Sequence, residues 1–220
     1  NYFSDKENTG FALNPIYTDF HHDIVPIKKD FSQNQLILGF EGVASGTKHR
    51  EPALLISSIL GGTPSSRLFQ RIREELGLVY SVDTACVSHL RTGVFIVCMG
   101  LSEKSEKKAI KEALKIISEF PDTITEKELA RAKEQSVASF VMNLENVSSR
   151  TSRNGRNALL YNKITSEDEV VGKIRSVTLE EAKQTARELL DLSKISFCAT
   201  GKLKSEATYK KIFAEGSNSK

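Results

Sequence analysis

Residues 60–82 read Leu60-Gly-Gly-Thr-Pro-Ser-Ser-Arg-Leu-Phe-Gln-Arg-Ile-Arg-Glu-Glu-Leu-Gly-Leu-Val-Tyr-Ser-Val82. Apolar residues recur at helical spacing in the middle of this stretch, which predicts a helix from about residue 63 that ends at Gly77. The run that follows predicts a strand over 79–87. Arg73 therefore lies near the end of a helix and Tyr80 lies early in the next strand. A short turn at Gly77 brings the two side chains to one rim of a sheet.

The elements on both sides of this stretch predict the fold class. Strands are predicted over 35–40, 79–87, 93–100 and 194–200, and helices over 51–60, 63–77, 103–120 and from 126 to about 146. Helical character extends beyond residue 146 to Tyr161, with an interruption near Gly155. The run Pro121-Asp122-Thr123 is expected to break the third of these helices. Capping boxes at Thr125, Ser166 and Thr178 each open a helix. Strands and helices are segregated along the chain, which predicts an α+β fold: a mostly antiparallel sheet with helices packed on one face.

The length of 220 residues favours one large domain. We divide the chain into a linker or tail over 1–24, which follows a preceding half, an α+β domain over 25–204, and a C-terminal extension over 205–220 with a frayed end. The first residues include no initiator Met and no apolar signal core, which is typical of a fragment or a mature chain.

Charge and hydropathy exclude two classes of partner. The net charge of +3 comes from 31 basic and 28 acidic residues without a basic run, so nucleic acid is not an expected partner. No stretch approaches the roughly 20 apolar residues of a membrane span. We expect a soluble protein, cytoplasmic or periplasmic if it is bacterial, although the sequence does not identify the compartment.

Neither a metal site nor a nucleophile is predicted in this chain. The four histidines form no His-x-x-x-His pair, and the one cluster, His21-His22-Asp23, is interpreted as surface. No Gly-x-Ser-x-Gly elbow and no phosphate-binding glycine loop occurs. Three isolated cysteines, Cys86, Cys98 and Cys198, lie in strand-like runs and are expected to be buried free thiols.

Arg73 and Tyr80 are the remaining candidates for chemistry. A guanidinium offers forked donors to a carboxylate or a peptide carbonyl, and a phenol can donate to a developing oxyanion. A structural explanation is also open, because an arginine in the last turn of a helix suits the helix dipole and a tyrosine is common in strands. The residues alone do not decide between these explanations.

Several motifs resemble the C-terminal half-domain of the pitrilysin/insulinase family of zinc peptidases, which includes mitochondrial processing peptidase. They are, in chain order, Asp30–Gly42, Leu60–Gly62 with Ser66–Gln70, Arg73–Val82, Thr125–Lys133, Ser148–Arg150 and Val177–Ala182. The resemblance covers residues 25–203.

The resemblance implies an enzyme made of two similar halves that face each other across a chamber. In that family the N-terminal half binds zinc through His-x-x-Glu-His and a distal Glu, and neither motif is present here. The C-terminal half supplies an Arg and a Tyr with six residues between them, a spacing that Arg73 and Tyr80 match. By resemblance, Tyr80 stabilises the tetrahedral intermediate, and Arg73 holds a substrate carbonyl or orients Tyr80.

The same resemblance implies the partners. They are an N-terminal catalytic half, on the same chain or as a separate subunit, and a peptide or unfolded protein as substrate; a dimer is also allowed. The isolated chain is expected to be inactive, with zinc bound only by the other half of the complete enzyme. The alternative is a non-catalytic subunit or scaffold half of the same family.

Overall fold

The computed structural model describes residues 20–217, which form one five-stranded sheet. The strands are β1 (Ile24–Lys28), β2 (Asn34–Glu41), β3 (Ser81–Ser88), β4 (Gly93–Leu101) and β5 (Ser196–Gly201). They lie in the order β1-β5-β2-β4-β3. Only β1 and β5 pair in parallel within this sheet; the other neighbours are antiparallel. The predicted α+β class and mostly antiparallel sheet are confirmed.

Helices lie between β2 and β3, between β4 and β5, and after β5. They are α1 (Arg50–Leu60), α2 (Glu106–Thr123), α3 (Glu126–Glu145), α4 (Val147–Tyr161), α5 (Glu167–Ser176), α6 (Leu179–Leu189) and α7 (Glu206–Ser217), with a π-helical segment over Phe69–Glu75 and a 3-10 turn over Leu192–Lys194. None of the helices within residues 20–217 is long and apolar enough to cross a membrane.

Alternate residues of the strands separate a buried face of the sheet from an open one. Leu36, Leu38 and Phe40 of β2 are buried, whereas Gln35 and Ile37, which alternate with them, are exposed. The buried face and the apolar sides of the helices together form one core. Because strand side chains alternate between the two faces, this pattern leaves the second face open among the described residues.

Local capping chemistry fixes where most helices begin. Thr125 and Thr178 each accept a hydrogen bond from the amide three residues ahead, and the glutamate there accepts one from the cap amide, so both predicted boxes are confirmed. Ser166 caps α5 in the same way. The Glu169 side chain instead contacts Lys163 and Lys173, so the third box is only half formed.

Two predicted helix ends are confirmed, and one predicted interruption is wrong. Helix α2 includes Pro121 but ends at Thr123, within the break predicted over residues 121–123. The long helix was predicted to end near Asn146, and α3 ends at Glu145. The Asn146 side chain accepts from early amides of α4. Gly155 lies inside α4, so the interruption expected there does not occur.

The two ends of the described chain contribute more structure than the sequence indicates. Residues 24–28 form β1, an edge strand that the sequence analysis did not predict. In the stretch 205–220, α7 contributes Tyr209, Ile212 and Phe213 to the core. The division at residues 24 and 204 stays a prediction. Residues 1–19 of the tail and 218–220 of the end lie outside the described residues.

The cysteines are free, as expected, but not all are buried. Cys86 and Cys98 are half-buried, and burial raises the pKa of both thiols. Cys198 is exposed on the open face of the sheet, which corrects the prediction of three buried thiols. Its strand alternates, and the neighbouring Phe197 and Ala199 take the core side.

Candidate functional site

Arg73 lies in the π-helical segment that precedes β3. The wide turn shows in the backbone hydrogen bond from the Leu76 amide to the Arg71 carbonyl, 3.2 Å, which spans five residues instead of four. Ile72 in this segment is buried in the core, whereas the Arg73 side chain is 42% exposed. Such wide turns occur often at functional sites.

A glycine turn joins this segment to β3. Gly77 has a φ of +59°, the left-handed conformation that closes many helices, and its amide donates to the Arg73 carbonyl at 3.2 Å. Tyr80 comes just before β3 and not inside the strand, although its amide still donates to the Gly100 carbonyl at 2.7 Å. Arg73 therefore lies in the π-helical segment and Tyr80 directly precedes β3, and the segment and the strand pack against each other.

Both side chains present uncommitted hydrogen-bond donors. Tyr80 is 56% exposed, and no residue within 20–217 hydrogen-bonds to its hydroxyl. The Arg73 guanidinium lies over the Phe69 ring, with 4.6 Å from Cζ to the ring centroid. The carboxyl oxygen of Glu74 is 4.0 Å from Arg73 Nε, beyond hydrogen-bond distance. The pair is thus available to an external oxygen acceptor, although its catalytic role stays a prediction.

A second arginine, Arg67, anchors the start of the segment. Its Nε and Nη2 donate to the two Glu128 carboxyl oxygens at 2.7 and 2.8 Å. The same guanidinium donates to the Thr123 carbonyl at 2.7 Å and lies over the Phe120 ring. Bidentate pairs of this kind stabilise the contact and also restrict its geometry. This Arg67 clamp ties the segment that carries Arg73 to the junction of α2 and α3.

The Arg67 clamp makes the free energy of unfolding fall as the solution becomes acidic. Burial raises the pKa of Glu128, but hydrogen bonds from Arg67 and Thr125 outweigh it and lower the pKa from 4.5 to about 2. Because the pKa of Glu128 is lower in the folded state, the ionised carboxylate stabilises the fold fully above pH 4.5. This stabilisation is lost as the pH falls towards 2.

We expect Glu128→Gln to lower the free energy of unfolding by about 2–3 kcal/mol at pH 6. The difference from the parent chain should vanish near pH 2, as measured by urea unfolding across that range. Glu75→Gln removes the exposed pair with Arg71 and serves as the control, with an expected loss below about 0.5 kcal/mol. A pH-independent effect of Glu128→Gln would contradict this account of the clamp.

His49, with Thr185 and Glu188 at the opposite end of the sheet, does not form a nucleophilic relay. His49 Nδ1 lies 3.2 Å from Thr185 Oγ1 and 4.0 Å from Glu188 Oε2, beside a cleft of about 200 Å³. A relay needs the hydroxyl and the acid on different ring nitrogens, and here both approach Nδ1. Within residues 20–217 no three His, Cys, Asp or Glu side chains gather to hold a metal ion, so this part of the chain does not fit a zinc site.

Sequence analysis missed two contacts around Arg73. The Phe69–Arg73 contact has a readable signal, an aromatic residue four positions before an arginine in one helix. The pairing of Arg67 with Glu128 has none, because 61 residues separate them. Glu128 was identified only as part of a capping box.

The fold and these elements define the class of protein: a single-core α+β domain whose exposed Arg and Tyr lie at one end of an antiparallel sheet. Residues 1–136 match the family model described as the peptidase M16 inactive domain. The chain belongs to the peptidase M16 family, which confirms the resemblance found in the sequence.

Known relatives agree with this assignment. The chain is 36% identical over 193 residues to a protein of Bacillus subtilis described as the uncharacterised zinc protease YmxG, covering 86% of this chain and 46% of that protein. It is 32% identical over 164 residues to a protein of Rickettsia felis described as an uncharacterised zinc protease, covering 74% of this chain and 40% of that protein. The chain therefore spans less than half the length of these relatives.

Solved structures share the fold. A peptidase M16 inactive domain from Pseudomonas fluorescens superposes with a TM-score of 0.74 at 21% identity, covering 88% of this chain and 47% of that one. A chain of a complex III dimer from Candida albicans gives 0.77 at 20% identity, covering 88% and 50%.

Proposed function

We propose that this chain is the C-terminal, substrate-enclosing domain of a zinc metallopeptidase and that it supplies Arg73 and Tyr80 to the active site. The observation that carries the proposal is the pair of exposed, uncommitted donors, one in the π-helical segment and one directly before the strand that packs against it. This pair is held at fixed backbone positions and is still free to bind.

The two side chains suit different parts of a peptide-hydrolysis reaction. The Tyr80 hydroxyl donates a hydrogen bond to the oxyanion that develops when the scissile carbonyl is attacked. The Arg73 guanidinium donates to a substrate carbonyl and holds the peptide in place. Neither group is a base or a nucleophile in these roles, so the domain contributes binding and electrostatic stabilisation.

Zinc and the attacking water belong, in this proposal, to an N-terminal half on the same polypeptide or on a separate subunit. Three observations support it: the relatives are described as zinc proteases, the chain covers less than half of them, and the matched family model is described as the inactive domain. The absence of a metal-binding group within residues 20–217 is consistent with this division.

The end of α3, together with α4, supports a partner surface. Helix α4 has no buried residue, and its Leu159 is 88% exposed. Met142, Val147 and Ile164 nearby are also mostly exposed. Exposed apolar patches of this kind mark interaction sites. We assign this surface to contact with the other half. The substrate, a peptide or unfolded protein, is then enclosed between the two halves or within a dimer.

The proposal predicts that metal and activity require the other half. The purified 220-residue chain should retain no zinc after dialysis, by plasma mass spectrometry, and should not hydrolyse fluorescein-labelled casein. The complete protein, which is this chain with its N-terminal half, should retain zinc and hydrolyse the casein. A chelator should abolish this hydrolysis until zinc is restored. Hydrolysis by the 220-residue chain alone would refute the division of roles.

A second candidate function is a non-catalytic subunit or scaffold. The likeness of this fold to a chain of a complex III dimer favours it. In that case the fold and the partner surface are retained without chemistry at Arg73 and Tyr80. Substitution of Tyr80 separates the two functions, as argued below.

A further inference from the structure

We propose that Phe69 is a positioning residue for Arg73: its ring holds the guanidinium in the orientation that receives a substrate oxygen. The inference rests on the proposed function of Arg73. It concerns a residue that contacts Arg73 and not the substrate. The geometry behind it is the 4.6 Å distance from Arg73 Cζ to the centroid of the Phe69 ring.

This contact restrains the arginine without consuming its donors. A cation over an aromatic face is attracted by the quadrupole of the ring, which accepts no hydrogen bond of the kind an oxygen accepts. Among the described residues, no oxygen lies within hydrogen-bond distance of the Arg73 guanidinium. The side chain is therefore restrained while its forked N–H groups stay available to a peptide carbonyl or a carboxylate.

Other arginines over aromatic rings in the described part of the chain are used differently. Arg67 lies over Phe120, but its donors are bound to Glu128 and to the Thr123 carbonyl. Arg153 lies over Phe140 and donates to the Thr165 carbonyl at 2.7 Å. In both cases the arginine joins two elements of the fold.

Arg71, only two residues before Arg73, also has a committed guanidinium. It donates to Glu75 at 2.6 Å and lies near Glu112. Arg73 differs from its neighbours because it combines an aromatic support with unused donors. That combination is what a binding arginine requires, since ordering a long side chain before the substrate arrives lowers the entropy cost of binding.

The backbone under both residues is itself held at each end. The Arg67 clamp fixes the start of the segment, Ile72 is buried in its middle, and the Gly77 amide caps its end. Phe69 is partly buried against the core. The remaining freedom belongs to the Arg73 side chain, and the Phe69 ring is the group that restricts it.

The first test measures the orientation of Arg73 by NMR. In ¹⁵N-labelled chain, the Arg73 Nε–Hε resonance is assigned by its loss in Arg73→Lys. Ring current from Phe69 should move it upfield, Phe69→Leu should abolish that shift, and Phe69→Tyr should keep it. Phe140→Leu, which removes the ring beneath Arg153, is the control and should leave the Arg73 resonance in place. An unchanged resonance in Phe69→Leu would overturn the proposal.

The second test measures casein hydrolysis by the zinc-loaded complete protein. Phe69→Leu should raise KM about three- to tenfold with little change in kcat, because it disturbs binding shared by the substrate and the transition state. Phe69→Tyr should restore KM. If Arg73→Lys impairs hydrolysis but Phe69→Leu does not, the positioning role is wrong and the proposed function stands. If Arg73→Lys has no effect, the role of Arg73 itself is wrong, and the proposal about Phe69 falls with it.

Discussion

Glu106→Ala should lower the free energy of unfolding by about 3–5 kcal/mol, the largest loss of stability that we expect from a single substitution in this chain. Glu106 is fully buried. Its carboxyl oxygens accept from Asn34 Nδ2 at 2.6 Å and from the Tyr209 hydroxyl at 2.7 Å. Lys204 Nζ lies 3.8 Å away. Alanine removes the acceptor of the Tyr209 hydroxyl and leaves Asn34 Nδ2 with only the Lys202 carbonyl, at 3.0 Å.

The effect should be large because this network joins three distant parts of the chain. Asn34 begins β2, Glu106 begins α2 and Tyr209 belongs to α7. Burial and the Glu106 carboxyl together raise the pKa of Tyr209 well above its usual range, so the phenol stays protonated and donates. Loss of the acceptor therefore weakens the attachment of the C-terminal helix to the core.

A graded pair of controls makes this prediction specific. Glu106→Gln offers one acceptor oxygen to two donors, Asn34 Nδ2 and the Tyr209 hydroxyl. Asn34 cannot flip to compensate, because its Oδ1 accepts from the Lys202 amide at 2.7 Å. We expect a loss between those of the parent and Glu106→Ala. Glu103→Ala, on the exposed side of the same turn, should unfold like the parent. Thermal unfolding should fall by about 10 °C for Glu106→Ala, and a midpoint equal to that of Glu103→Ala would contradict the role of the network.

Local chemistry explains which parts of the fold the sequence predicts. The capping boxes at Thr125 and Thr178 are confirmed because a cap depends on residues three apart. Gly61, which ends α1, and Gly93, which follows the turn between β3 and β4, are equally local signals. These signals need no knowledge of tertiary contacts.

Long-range pairing explains what the sequence analysis missed. Strand β1 exists through parallel pairing with β5, in which Ile24 lies opposite Phe197. Pro26 within it argues against a strand, but an edge strand tolerates a residue without an amide donor. The break predicted at Pro121-Asp122-Thr123 is by contrast a local signal, and it is confirmed because α2 ends at Thr123.

The candidate site was predictable only in part, because some of its features are local in sequence and others depend on long-range contacts. Spacing and resemblance identified Arg73 and Tyr80, and the turn at Gly77 is confirmed. The wide π turn and the uncommitted state of the guanidinium depend on contacts that periodicity does not show. The Arg67 clamp likewise needs a partner from another helix.

Tyr80→Phe should lower kcat of the complete protein by about 10²- to 10³-fold, the loss usual for one oxyanion donor. Only the hydroxyl is removed, and no residue within 20–217 depends on it. KM and stability should therefore stay close to those of the parent, because the donor acts mainly when the oxyanion forms. Tyr161→Phe is the matched control: it removes a hydroxyl that donates to Ser45 at 2.6 Å and should leave kcat unchanged.

The measurement that tests the central claim most directly is kcat for casein hydrolysis by the zinc-loaded complete protein, parent beside Tyr80→Phe. The account predicts a fall of about 10²- to 10³-fold in Tyr80→Phe with thermal unfolding unchanged. An equal kcat in the two proteins would contradict it and identify this domain as a non-catalytic partner of the peptidase fold.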